Sequence, residues 1–129
     1  MSRILAIKPF VRWADGENIP AEVLCKAVAE LEAGLIDADL GGNVYKKRIA
    51  HSGRGKRGGA RTIIATRFEG KFFFLAGFAK NERDNLSKRE LVAVKIYAQK
   101  LLLMTDQTIE KALEAHELKE VVCNEPDSE

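Results

Sequence analysis

Apolar and polar positions recur along this chain with two different periods, and the switches between them divide it into elements. Residues 3–8 read as a short apolar strand, and Pro9 to Ala14 as a helical turn with Phe10 and Trp13 on one side. Asn18-Ile19-Pro20 opens a helix, because proline is tolerated in a first turn, and Leu24, Ala27, Val28, Leu31 and Leu35 follow at helical spacing up to a stop at Gly34. After Gly41-Gly42 a strand is expected at about 44–49. Arg61 to Phe68 and Lys71 to Phe78, joined by Glu69-Gly70, make the clearest hairpin. Phe72, Phe73 and Phe74 cannot share one strand face, so that strand is expected in mid-sheet with both faces covered. Ser87-Lys88-Arg89-Glu90 is a capping box before Leu91, Val94, Ala98, Leu101 and Leu102, which predicts a long helix. Thr105-Asp106 caps a shorter one through Ile109 and Leu113, while Leu118 to Cys123 fits either a strand or more helix.

Composition narrows the class. A chain of 129 residues with 46 % apolar content is expected to form one domain, residues 1–124, followed by an acidic tail at 125–129. No apolar run approaches the roughly 20 residues that span a bilayer, and the first residues lack a signal-peptide core, so a cytoplasmic protein with no membrane partner is expected. Cys25 and Cys123 show no metal-ligand spacing and are expected to be free thiols. Net charge is only +2, yet no acid occurs between Asp39 and Glu69, a window holding Lys46, Lys47, Arg48, Arg54, Lys56, Arg57, Arg61 and Arg67. That window suits an anionic partner.

Alternation over 44–49 places Lys46 and Arg48 on one face and Tyr45, Lys47 and Ile49 on the other. Arg61, Ile63, Ala65 and Arg67 share a face of the next strand, and antiparallel pairing brings Arg61 beside Lys46 or Arg48. Lys80 and Arg83 follow the phenylalanine strand and add two cations at its end. Taken singly, each is most simply a solvated surface charge. As a set they would repel unless an anion bound between them, and phosphate is the natural anion. The loop Gly53-Arg54-Gly55-Lys56-Arg57-Gly58-Gly59 lacks the Gly-Lys-Ser/Thr ending of a nucleotide-binding loop. His51 and His116 lie in no cluster with ligand spacing, so neither metal nor cofactor is expected; His51 is kept as an acid-base candidate.

Four phrases resemble the RelE/HigB superfamily of type II toxins, in its HigB-like branch. They are Gly34 to Gly42, Val44 to Ala50, Gly53 to Lys56 with Gly58-Gly59-Ala60-Arg61-Thr62, and Phe78-Ala79-Lys80-Asn81-Glu82-Arg83. The resemblance implies a RelE-like α+β fold with helices on a twisted, mainly antiparallel sheet, a ribosome-dependent, metal-independent mRNA endoribonuclease that inhibits translation, and a cognate antitoxin as partner beside ribosome and mRNA. It assigns the scissile phosphate to Lys46, Arg48, Arg61, Lys80 and Arg83, and RNA backbone contacts to the loop cations Arg54, Lys56 and Arg57; Lys47 and Arg67, from the same acid-free window, are further RNA-binding candidates. Some relatives carry a tyrosine or histidine shortly after the segment matching Lys80 to Arg83, where this chain has Asp84-Asn85-Leu86-Ser87. The proton-transfer group is therefore open among Lys46, His51 and Glu82. A ParE-like toxin acting on DNA gyrase and a non-catalytic nucleic-acid-binding module of the same fold are the alternatives.

Overall fold

The computed structural model describes residues 2–51, 53, 55 and 57–123. In chain order the elements are β1 (Arg3–Ile7), α1 (Lys8–Gly16), α2 (Ala21–Glu32), β2 (Ala38–Gly41), β3 (Val44–Ile49), β4 (Ala60–Thr66), β5 (Lys71–Ala79), α3 (Lys88–Leu102), α4 (Asp106–Glu114) and β6 (Leu118–Val121). The strands form one sheet in the order β2-β3-β4-β5-β1-β6, in which β1 runs parallel to β5 and every other pair is antiparallel. This is the expected α+β architecture, with helices on a mainly antiparallel sheet.

The helices stop where local chemistry stops them. Gly34, with φ +92°, ends α2 in the left-handed conformation, and the Leu35 amide donates back to the Glu30 carbonyl while that of Gly34 reaches Leu31. Asn18 and His116 take the same left-handed position after α1 and α4, with the matching bonds from Ile19 to Ala14 and from Glu117 to Ala112. Asn18 thus closes α1 instead of opening α2, which begins after Pro20. Ser87 and Glu90 form the expected capping box of α3, and Thr105 caps α4.

Both faces of the central strands are covered. Phe10 of α1 stacks on Phe74 at 4.9 Å between ring centroids, and Glu30 of α2 reaches Lys47 on the same face. The segment from Asp84 through α3 lies against the other face, where it touches β4 and β5. Phe72, Phe73 and Phe74 are consequently all buried, and so is every residue of β4.

Two sequence expectations are revised and one left open is decided. Ala38–Gly41 is an additional edge strand, pairing with β3 across a bulge. Leu118–Val121 is strand, because β1 offers it a free edge with Ile4 opposite Val121. Cys25 and Cys123 are not free thiols but a disulfide with Cα atoms 5.9 Å apart, since α2 packs beside β6 and brings the two together despite 98 residues of separation. The acidic tail at 125–129 lies outside the described residues.

Candidate nucleic-acid interface

The β3–β4 register sets Arg48 directly opposite Arg61 and Lys46 opposite Ile63, and the β4–β5 register sets Phe78 beside Arg61. Cross-strand partners share a face, so Arg48, Arg61 and Phe78 form one row with Lys46 one step away. Arg83, just beyond β5, lies over the Phe78 ring at 4.9 Å. The expected convergence of Lys46, Arg48, Arg61 and Arg83 on one face is therefore present.

Arg61 is the centre of the group and only 1 % exposed. Its Nε donates to Asp84 Oδ1 at 2.7 Å and its Nη2 to the Arg57 carbonyl at 3.2 Å. Asp84 is half-exposed and comes from the β5–α3 loop; the Arg61 hydrogen bond, with the charges of Arg61, Lys46 and Lys80, holds its carboxyl below the ordinary 3.8. Asn85 in the same loop accepts from Lys46 Nζ at 2.7 Å, and the Asp84 carbonyl lies 3.4 Å from that nitrogen. Arg83 bonds Glu90 at 2.6 Å, and this contact with the Ser87 amide lowers the Glu90 carboxyl from 4.5 to about 2. Lys80 is exposed, and its backbone amide is fixed to the Gly59 carbonyl. Gly59 has no room for a side chain, as a Cβ there would fall 2.2 Å from the Ile49 carbonyl oxygen. The glycine thereby lets the backbone pass close against the end of β3, two residues ahead of Arg61.

Lys47 does not belong to this surface. Alternation turns it to the opposite face, where α2 buries it to 2 % exposure and supplies Glu30 at 2.9 Å, with Asp37 at 3.7 Å. It serves the core as half of a buried ion pair, not as an RNA contact. Arg67 follows the end of β4, about 20 Å from Arg61 along a strand rising ~3.3 Å per residue, and so stands outside the cluster. Arg57 is exposed beside it. Arg54 and Lys56 lie outside the described residues. His51, just past β3, is held by Glu17 at 2.8 Å at the end of α1, on the sheet face opposite Arg61. Among the described residues no group of three potential metal ligands occurs.

Asp84 and Asn85 are the partners of this cluster that motif reading missed. Their position directly after Arg83 was visible, but the fold-back of the loop onto β3 and β4 was not.

Residues 2–121 match the family model for the RelE toxin of the RelE/RelB toxin-antitoxin system. The chain belongs to the RelE toxin family. No individual curated protein matches it. Membership of this RelE family makes the chain a toxin of a toxin-antitoxin system, with a cognate RelB-type antitoxin as partner. RelE-family toxins are generally endoribonucleases. Among the described residues, no helix is long and apolar enough to cross a membrane.

Proposed function

We propose that this toxin, in the HigB-like branch of its superfamily, is a cytoplasmic, ribosome-dependent, metal-independent mRNA endoribonuclease that blocks translation. The observation that carries the reading is the buried Arg61 guanidinium, already holding a carboxylate at 2.7 Å, with Lys46 and Arg48 on the same sheet face and Arg83 beside it. A carboxylate and a phosphate present similar pairs of anionic oxygens to a guanidinium, so Asp84 marks where a phosphate would sit.

In this reading the RNA 2′-hydroxyl gives its proton to water as its oxygen attacks the adjacent phosphorus. The bond to the 5′-oxygen then breaks, and that oxygen takes a proton from water, leaving a 2′,3′-cyclic phosphate and a 5′-hydroxyl. Arg61, with Lys46, Arg48, Lys80 and Arg83, balances the charge that grows on the phosphoryl oxygens, the contribution that favours the transition state over the ground state. Asp84 must yield its place on Arg61 as the phosphate arrives. Arg57 and the neighbouring loop cations Arg54 and Lys56 hold the flanking backbone. The ribosome supplies the positioning that a shallow basic face does not.

A second reading, RNA binding without cleavage, draws support from His51, which Glu17 holds against α1, on the face opposite Arg61. The two separate in one experiment. Purified toxin is added to ribosomes translating a defined mRNA, and 5′ ends are mapped in single turnover. Cleavage on translating ribosomes but not on naked RNA is expected. Binding with no new 5′ ends would establish the second reading, and equal cutting of naked RNA would remove the ribosome from the first.

A further inference from the structure

Helix α3 is fifteen residues long, yet only Ala98 and Leu101 are fully buried. Its outward side is only partly polar. Val92, Ile96 and Leu103 stand at 60 %, 57 % and 71 % exposure, and their spacing of four and seven residues puts them along one side of the helix, where Gln99 breaks the line and bonds the Gly42 carbonyl at 3.0 Å. Lys88 and Lys95 flank that line on one side, Arg89 and Lys100 on the other. The one acid of the helix, Glu90, is committed to Arg83 and the Ser87 amide and lies away from the stripe.

We infer that this face of α3 is a docking site for an acidic amphipathic helix of the cognate antitoxin. An apolar line rimmed by cations is complementary to a helix with an apolar line rimmed by carboxylates, the apolar centre giving affinity and the rim giving orientation and rate. A second copy of this chain would set like charges against each other across the stripe. RNA would satisfy the cations but leave Val92, Ile96 and Leu103 against a charged backbone. The inference rests on family membership, which supplies an antitoxin partner, and not on the cleavage reading.

The test measures affinity of the antitoxin for parent toxin, Ile96→Asp and Val92→Ser. Thermal midpoints check folding, and the measurement is repeated at rising salt. Both positions are exposed, so the midpoints should hold. Ile96→Asp should weaken the complex about thirtyfold or more, as loss of a central contact does. Lys100→Glu should slow association and flatten its salt dependence. Parent-like affinity in folded Ile96→Asp and Val92→Ser would overturn the assignment. So would a loss of ribosome co-sedimentation with antitoxin binding intact, which would hand the face to the ribosome. A shift from dimer to monomer with antitoxin binding intact would hand it to self-association. Should Ile96→Asp not fold, Val92→Ser alone decides, with parent-like affinity again counting against the site.

Discussion

Lys47 and Arg61 are both nearly inaccessible cations on adjacent strands, each with a carboxylate within ion-pair distance, but they sit on opposite faces of the sheet and have opposite kinds of partner. The carboxylate facing Lys47 comes from a packed helix and is itself only 16 % exposed, with Asp37 backing it. The one facing Arg61 comes from a loop and is 51 % exposed. A pair buried at both ends is fixed, since separating it strands a charge in the core. A pair buried at only one end is exchangeable, because the outer anion can return to water while another takes its place. The two buried cations thus differ in their partners' exposure, not in their own.

The largest expected effect is on the fixed pair. Lys47→Ala should cost about 3–5 kcal/mol of unfolding free energy by taking away the buried cation that Glu30 meets at 2.9 Å, read from chemical denaturation. Lys47→Met combined with Glu30→Gln should recover much of it. If Lys47→Ala unfolds like the parent, the two pairs do not differ as described.

Arg61→Ala, by contrast, should keep its fold and lose on the order of 10²–10³ in single-turnover cleavage on ribosomes, the scale of one preorganised charge-stabilising group. Arg61→Lys should also be impaired, because an ammonium does not reproduce the guanidinium fork. Cleavage by folded Arg61→Ala at the parent rate would remove Arg61 from the site.

Exchangeability is probed directly by Asp84→Asn. Removing the competing charge should tighten RNA binding roughly two- to fivefold, in line with the small worth of a solvent-exposed ion pair, with little change in thermal midpoint. Weaker RNA binding would mean that Asp84 organises the site instead of occupying it.

The smallest effect is a pH dependence. Asp84 has a lowered carboxyl in the folded chain, so its contact with Arg61 stabilises fully above the unfolded value near 3.8 and is lost as pH falls through the lower folded value. Glu90 behaves likewise between 4.5 and about 2. Side-chain carboxyl shifts followed by NMR should titrate below the ordinary range for both, and an ordinary midpoint at Asp84 would contradict the bond to Arg61.

Alternation along Val44–Ile49 already separated Lys46 and Arg48 from Lys47, and pairing across the loop already put Arg61 beside Arg48. What alternation does not carry is the identity of whatever covers each face. Glu30 and Asp84 approach from elements whose packing depends on the whole sheet, so Lys47 reads in sequence as one more cation in an acid-free run. β2 was hidden for a different reason: four residues with Asp39 and Gly41 among them hold a strand only because β3 provides a ready edge. The disulfide was hidden by distance along the chain.

The placement of β1 governs the order in which the molecule can be assembled. β3, β4 and β5 follow one another as a meander of local pairings, whereas β1 lies between β5 and the last strand, with Ile4 opposite both Phe72 and Val121. Contacts between such distant segments carry a large loop-closure cost and form late. During synthesis the strands bearing Lys46, Arg48 and Arg61 can therefore pair while β6 is still inside the ribosomal tunnel, and the first strand made is the last to be enclosed on both edges.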